Sequence, residues 1–209
     1  MLMQPKNNKS TIFIFEGIDH VGKTTIINLV KKCLEEKYGL SCAVISFPGK
    51  EKNTLGSLVY DIHHNREKYF NYDINNISIQ LLHVASHIDN IITKVLPSIE
   101  DGKIILLDRF WWSTLAYGLG NNIPRNLLEE IIKPELYYWN NIKIDGYFLI
   151  ERKNCNLDYP PEVTNTIYNT YKELVENTYN AYKIVNNGAL ENTTQLILSY
   201  IINGNEELL

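Results

Sequence analysis

The segment FEGIDHVGKTT at residues 15–25 has the composition and spacing of a polyphosphate-binding loop. Gly17 and Gly22 allow backbone N–H groups to curl around phosphate oxygens, because glycine has no side chain to obstruct the approach. Lys23 can reach the β and γ phosphates of a nucleoside triphosphate, and Thr24 can supply an oxygen to Mg²⁺. The residues expected to contact this ligand are Gly17, Asp19, His20, Val21, Gly22, Lys23, Thr24 and Thr25.

A loop of this kind must follow a strand and precede a helix, and the flanking sequence has both signals. Residues 11–15 are β-branched or aromatic and predict a buried parallel strand. Residues 23–38 repeat apolar side chains with a helical period and stop before Gly39. The alternative, a glycine-rich turn that precedes a lysine by chance, is disfavoured by this context.

Strands and helices alternate along the rest of the chain. Further strands are predicted over 41–47, 103–108, 144–150 and 182–185, and further helices over 54–64, 77–99, 111–119, 124–140, 161–182 and 193–202. This alternation predicts an α/β fold, with a doubly wound five-stranded parallel sheet covered by helices on both faces. Ligands of such sheets bind outside the carboxyl ends of the strands.

Length, charge and cysteine usage limit the classes of function. A chain of 209 residues suits a single domain over 1–209, with residues 1–10 as a flexible N-terminus. The net charge of −4 and the scattered basic residues disfavour a nucleic-acid polymer as partner. No segment approaches the roughly 20 apolar residues of a membrane span, so we expect a cytoplasmic protein. Cys33, Cys42 and Cys155 lie far apart and are expected to be reduced thiols.

The predicted strand KIILLD ends in a second group of reactive side chains. Asp108 can anchor the magnesium ion there, directly or through water. Arg109 adds a cation that can stabilise charge on a transferring phosphoryl group. The alternative is a buried Asp–Arg pair that only ties the strand to the next helix.

Taken in order, these motifs resemble the thymidylate kinase family. The matching segments are FEGxDxxGKT at 15–24, FP at 47–48, TLG at 54–56, LLxxAS at 81–86 and DRFxxSTxAY at 108–117. The resemblance is close over residues 11–120 and weak beyond them. It implies a nucleoside monophosphate kinase fold of the P-loop type, ATP and Mg²⁺ as cofactors, a small nucleotide substrate and a homodimer.

The resemblance also implies roles for individual residues. Asp19 matches the carboxylate that binds the 3′-hydroxyl of the acceptor sugar, and Tyr117 matches the tyrosine beside its 2′ position. A solvated acid and a core tyrosine are the respective alternatives. The acceptor-binding residues implied are Asp19, Phe47, Lys50, His83, His87, Arg109, Ser113, Thr114 and Tyr117, and the catalytic residues are Lys23, Asp108, Arg109 and Arg152.

Two histidines depart from the family pattern. His83 stands where the family stacks an aromatic ring on thymine, and His87 stands where it uses an arginine. One helical turn apart, they share a helix face and form either a rebuilt base site or a degenerate pocket. Zinc is disfavoured because no third ligand suggests itself. His63 and His64 are expected to form a polar helix face.

Arginines are also missing from two other places. Lys50 lies near the position of the arginine that clamps the acceptor phosphate, which leaves a nucleoside acceptor open, with Glu16 or Glu51 as its base. The lid is shortened to residues 151–163, where Arg152 and Lys153 remain to reach the triphosphate; the alternative is that Arg152 only caps the sheet. A short lid predicts slower transfer or some ATP hydrolysis without acceptor.

The sequence thus favours an ATP-dependent kinase for a deoxynucleoside monophosphate, most readily converting dTMP to dTDP. A deoxynucleoside kinase and a monophosphate kinase for another base are alternatives within the same class. A non-catalytic nucleotide sensor is the alternative from a different class.

Overall fold

A five-stranded parallel sheet forms the centre of the computed structural model, which describes residues 10–153 and 159–203. The strands are β1 (Thr11–Glu16), β2 (Cys42–Ser46), β3 (Ile104–Asp108), β4 (Gly146–Glu151) and β5 (Ala181–Val185). Their order across the sheet is β2-β3-β1-β4-β5, and every neighbouring pair is parallel. The predicted α/β fold with a five-stranded parallel sheet is confirmed.

Helices connect the strands and cover both faces of the sheet. They are α1 (Lys23–Tyr38), α2 (Leu55–His64), α3 (Arg66–Tyr69), α4 (Asn76–Asn90), α5 (Leu96–Glu100), α6 (Trp111–Gly120), α7 (Arg125–Trp139), α8 (Pro161–Glu176) and α9 (Leu190–Asn203). A π-helical segment, Ile91–Val95, joins α4 to α5. Among the described residues, no helix is long and apolar enough to cross a membrane.

The alternation of side chains along β1 divides the core into two layers. Phe13 and Phe15 point to the face covered by α1 and α9, and they pack in a cluster that includes Ile26. Ile12 and Ile14 belong to the cluster on the opposite face, beneath α6 and α8. All residues of β1 are buried, because the strand is covered on both faces and paired on both edges.

The register of the central strands brings the chemically active segments together. Phe15 pairs with Asp108 of β3, and Glu16 pairs with Leu149 of β4. The loop after β1 therefore begins at the same end of the sheet at which Asp108 and the last residues of β4 lie. This is the carboxyl edge, where ligands of open parallel sheets bind.

Several predicted boundaries are wrong by a few residues. The predicted helix over 161–182 ends at Glu176 with Asn177 as its C-cap, and Asn180, which has a positive φ of 60°, immediately precedes β5. The last helix begins at Leu190 rather than at residue 193. The predicted helix over 77–99 is one continuous helical path, but its middle widens into the π-helical segment. Residues 1–9 of the predicted flexible N-terminus lie outside the described residues.

Candidate active site

The loop between β1 and α1 requires glycine at two positions. Gly17 has a φ of 139°, and a Cβ there would lie 2.3 Å from the carbonyl oxygen of Ile150. Gly22 has a φ of 93°, and its Cβ would lie 2.8 Å from Nδ2 of Asn186. The first turn of α1 carries no acidic residue, so its N–H groups are available to an anion. The loop therefore has the backbone geometry of a phosphate cradle.

Lys23 lies against this loop. Its Nζ donates hydrogen bonds to the carbonyl oxygens of Gly17 and Ile18, at 2.7 and 2.8 Å. Burial, reinforced by repulsion from Arg109, lowers the pKa of Lys23 to about 7. The amine is thus held inside the cradle, where phosphate oxygens can replace the two carbonyl groups as its partners.

Thr24 and Asp108 lie side by side, as a shared metal would require. The hydroxyl of Thr24 donates to Oδ2 of Asp108 at 2.8 Å. Mg²⁺ takes oxygen ligands and is commonly held by few protein groups together with substrate phosphates and water, so these two side chains fit it. Within residues 10–153 and 159–203 there is no group of three His, Cys, Asp or Glu side chains that could hold a metal ion. We term residues 17–24 other than Asp19, together with Asp108, the phosphate side.

Arg109 links the two ends of the site. Its backbone N–H donates to the carbonyl of Phe15 at 2.9 Å, with a φ of 76° that is uncommon for a residue with a side chain. Its guanidinium forms an ion pair with Asp19 and donates to Oγ of Ser113 at 3.0 Å. The hydroxyl of Tyr117 donates to the other Asp19 oxygen at 2.9 Å. Although burial opposes it, the charges of Arg109 and Lys23 lower the pKa of Asp19.

Glu16 is connected to Arg109 through Ser113, whose Oγ accepts from the guanidinium and donates to Oε2 of Glu16. The carboxylate is 1% exposed and accepts hydrogen bonds from the backbone of Phe110 and Ser113, from Oγ of Ser113 and from the hydroxyl of Tyr171. Burial raises its pKa. Because both oxygens are already occupied, Glu16 is not placed to act as the base of a nucleoside kinase. Glu51, the other base considered, is exposed and pairs with Lys94 at 2.7 Å.

The histidines form a connected cluster beside this constellation. Nε2 of His83 lies 2.7 Å from Nδ1 of His63, so the expectation that His63 only contributes to a polar helix face is wrong. His87 is 3% exposed, stacks on Phe47 with ring centroids 4.5 Å apart, and places Nδ1 2.9 Å from Oε2 of Glu135. We term Phe47, His63, His83, His87 and Glu135 the acceptor side.

Burial keeps two of these imidazoles neutral. It lowers the pKa of His63 to about 4, with help from His64 and Arg66. Burial also holds the pKa of His83 well below its usual value, reinforced by His87 and His63. His64 is exposed, with Nδ1 2.8 Å from the carbonyl oxygen of Tyr60, as the polar-face expectation requires.

Three other residues that were predicted to bind the acceptor have different environments. Lys50 is exposed, with Nζ 4.4 Å from the ring centroid of Tyr60, and it forms no ion pair with the carboxylates that the structure describes. Ser113 is occupied by Glu16 and Arg109, so it supports the arginine from behind. Thr114 is buried in α6, with 3% of its surface exposed.

The remaining predicted donor-site residues surround the loop and the end of β4. His20 and Thr25 are exposed, and Val21 is buried with its carbonyl accepting from Nδ2 of Asn186 at 2.8 Å. Arg152 is exposed directly after β4. Residues 154–158 of the predicted lid lie outside the described residues, so the role of Arg152 stays a prediction.

Sequence reasoning missed Glu135 as a site residue, although a signal was present. The buried positions of α7 include Leu128, Ile131, Ile132 and Trp139, and Glu135 falls on the same helical stripe. It is 0% exposed. A charged side chain on an apolar stripe needs a buried partner, and this points to a polar group on a facing helix.

Comparison with known proteins identifies relatives of the chain. The family model for thymidylate kinase matches residues 15–197. A thymidylate kinase of Thermoanaerobacter sp. (strain X514) is 38% identical over 109 residues, which are 52% of this chain and 50% of that protein. In this alignment the chain therefore spans half the length of its relative. A thymidylate kinase of Mesomycoplasma hyopneumoniae (strain 7448) is 29% identical over 206 residues, covering 89% of this chain and 93% of that protein.

A solved structure has the same fold. The crystal structure of thymidylate kinase from Ehrlichia chaffeensis superposes with a TM-score of 0.75, covering 92% of this chain and 98% of that chain. The sequence identity is 21%, so this likeness bears on the fold alone.

Proposed function

Because the chain belongs to the thymidylate kinase family, we propose that it transfers the γ phosphoryl group of ATP to dTMP, yielding ADP and dTDP. The observation that carries this proposal is the meeting of two constellations at one edge of the sheet. Thr24 and Asp108 lie 2.8 Å apart on the phosphate side, and Arg109 joins Asp19 and Tyr117 beside them.

On the phosphate side, the backbone N–H groups of the loop would hold the phosphate oxygens. Lys23 would exchange its two carbonyl partners for oxygens of the β and γ phosphates, and Arg109 would stabilise the charge shared between donor and acceptor. Thr24 and Asp108 would hold Mg²⁺, which when bound neutralises phosphate charge and orients the transferring group. Arg152 is proposed to approach the triphosphate from the lid.

For the acceptor, Asp19 would accept the 3′-hydroxyl of the sugar, and the ring of Tyr117 would occupy the space that a ribose 2′-hydroxyl needs. His83 and His87, with Phe47, would line the pocket of the base. Lys50 would attract the acceptor phosphate as a mobile point charge, which is a looser hold than an arginine fork provides.

An acceptor screen tests this function. The purified chain is incubated with ATP and Mg²⁺ and with each of the four deoxynucleosides or their monophosphates, and the products are separated by ion-exchange chromatography. We expect dTDP from dTMP, and no product from the Lys23→Ala variant above background. A product only from a nucleoside would reassign the acceptor. ATP binding by calorimetry without any product would favour a nucleotide sensor.

We also propose that the chain is a cytoplasmic homodimer. The described cysteines Cys33 and Cys42 are free thiols, as a reducing compartment favours. Leu81 and Ile92, eleven residues apart along one helical path, are 50% and 46% exposed, and Ala85 lies exposed between them. An apolar stripe of this kind suits a helix–helix interface. Sedimentation equilibrium should give twice the chain mass, and the Leu81→Asp variant should give the chain mass.

A further inference from the structure

Three side chains form a buried hydrogen-bonded row from α7 to α4. Nε1 of Trp139 donates to Oε1 of Glu135 at 3.1 Å, and Oε2 of Glu135 lies 2.9 Å from Nδ1 of His87. Glu135 is 0% exposed, His87 is 3% exposed and Trp139 is 6% exposed. Water therefore has little access to the two hydrogen bonds of this row, and the atoms that form them depend on their protein partners.

The chemistry of the row decides where the proton of His87 lies. The indole N–H of Trp139 can only donate, so Oε1 of Glu135 is fixed as an acceptor. When Glu135 is ionised, its second oxygen also accepts, and Nδ1 of His87 then carries the proton that joins it to Oε2. In a neutral imidazole with a proton on Nδ1, Nε2 is bare and accepts hydrogen bonds.

The surroundings of His87 leave Nε2 as its one nitrogen available to a ligand. One face of the ring is covered by Phe47, and Nδ1 is committed to Glu135. Within residues 10–153 and 159–203, no hydrogen bond reaches Nε2. The neighbouring imidazole of His83, with its centroid 6.1 Å away, is influenced by the charge of Arg109. The free nitrogen therefore belongs to the acceptor side, on an imidazole that neighbours His83.

We propose that Glu135 is a positioning residue, which fixes the proton of His87 on Nδ1 so that Nε2 accepts a hydrogen bond from the ring N–H of the acceptor base. This inference rests on the proposed function for the presence of an acceptor nucleotide. Thymine joined to a sugar has a ring N–H, whereas cytosine joined to a sugar has none. By fixing the proton of His87, Glu135 would thus favour the binding of dTMP over that of dCMP without contacting either nucleotide.

The position of the proton can be measured directly. Long-range ¹H–¹⁵N spectra of protein with ¹⁵N-labelled histidine distinguish protonated from bare ring nitrogens, and a His87→Gln variant assigns the resonances among the five histidines. We expect Nδ1 of His87 protonated and Nε2 bare in the free protein, with Nε2 shifting when dTMP is added. A bare Nδ1 in the free protein would overturn the inference.

Glu135→Gln should reverse the polarity of His87. Trp139 still requires an acceptor, so the amide oxygen must face the indole and the amide N–H must face Nδ1 of His87. The proton of His87 then moves to Nε2, which becomes a donor. We expect KM for dTMP to rise about tenfold, the loss of one hydrogen bond, with kcat changed much less. The ratio of kcat/KM for dTMP to that for dCMP should fall by at least about tenfold.

Two further variants separate this role from a structural one. Glu130→Gln changes an exposed glutamate of the same helix, which pairs with Lys133, and should leave the dTMP-to-dCMP ratio and the His87 spectrum unchanged. Trp139→Phe removes the indole N–H but keeps the carboxylate, so the proton of His87 should stay on Nδ1. Glu135 does not act through the tautomer of His87 if Glu135→Gln keeps the wild-type ratio of kcat/KM for dTMP to that for dCMP. The same conclusion follows if Trp139→Phe moves the proton of His87 to Nε2.

The spectroscopic result is independent of turnover. The tautomer is read in the free protein, without ATP or acceptor. An enzyme that makes no diphosphate from any monophosphate would count against the proposed function, while the measured proton on Nδ1 or Nε2 would still decide whether Glu135 fixes His87.

Discussion

The phosphate side of the site comes from one loop and one strand end, whereas the acceptor side is assembled from a loop and three helices. Gly17, Gly22 and Thr24 lie within eight consecutive residues, and Asp108 joins them through the register of β1 and β3. On the acceptor side, His63 comes from α2, His87 from α4 and Glu135 from α7.

This difference determines what each side can tolerate. On the phosphate side, backbone N–H groups are proposed to do most of the binding, so its geometry depends on the two glycines and on the start of α1. On the acceptor side, by contrast, side chains bond to one another, His63 to His83 and His87 to Glu135. A change in one partner there leaves a second group buried without a hydrogen bond, which destabilises the protein more than the bond itself contributes.

The largest effect is expected from Asp108→Asn, which weakens the phosphate side alone. The amide oxygen can still accept from Thr24, so folding should be little affected, but the charge that is proposed to anchor Mg²⁺ is lost. We expect kcat to fall by about 100-fold or more, with KM for dTMP nearly unchanged. Steady-state kinetics over a range of Mg²⁺ concentrations measures both quantities.

The matched control for this prediction is Asp101→Asn. Asp101 is an exposed carboxylate that pairs with Lys103, so its loss should leave kcat as it is. A fall in kcat of less than about tenfold for Asp108→Asn would mean that the carboxylate is not a metal anchor.

A smaller effect is expected from Asp19→Asn, which lies where the two sides meet. Asp19 holds both the guanidinium of Arg109 and the hydroxyl of Tyr117, so the amide should disturb transfer and acceptor binding together. We expect kcat/KM for dTMP to fall about 30-fold, shared between a higher KM and a lower kcat.

The control here is Asp73→Asn, since Asp73 is exposed in the segment before α4. If Asp19→Asn lowered only kcat and left dTMP binding unaltered in calorimetry, Asp19 would belong to the phosphate side alone.

The same contrast explains how much could be predicted from the sequence. The sheet, the loop at 17–24 and the position of Asp108 follow from local patterns, because a strand, a glycine-rich turn and a helix are encoded by adjacent residues. The contacts of His63 with His83, and of His87 with Glu135, join residues 20 and 48 positions apart. The helical period of a sequence shows which residues share one face of a helix. It does not show which other helix that face contacts, because this depends on how the helices pack.

Some local features also escaped prediction for physical reasons. After α8 ends at Glu176, the chain passes through Asn180 in a left-handed conformation, which asparagine adopts more readily than most residues but does not require. Glu16 reads as one residue of a loop motif, yet Tyr171 and Ser113 approach it from α8 and α6 and make it a buried anchor. Only tertiary packing supplies such partners.

The smallest effect is expected from acid, and it should fall on the acceptor side. The pKa of His63 is about 4 in the folded chain, below the model-peptide value of 6.5. The unfolded chain therefore binds more protons between these two values, so stability is highest above pH 6.5 and is lost as the pH falls towards 4. At pH 5 the protonation of this histidine alone lowers the free energy of unfolding by about 2 kcal/mol, which lowers the melting temperature by about 4 to 8 °C.

Thermal unfolding of the wild type at pH 7 and pH 5 measures the loss of stability in acid. The His63→Gln variant should lose less stability between these pH values, because glutamine cannot take up the proton. His64→Gln is the control, since His64 is exposed and should leave the acid loss unchanged. Amide hydrogen exchange at pH 5 then locates the weakened region. Faster exchange in α2 and α4 with β1 and β3 still protected would show that the two sides open separately, whereas equal loss across the sheet would make the molecule one cooperative unit.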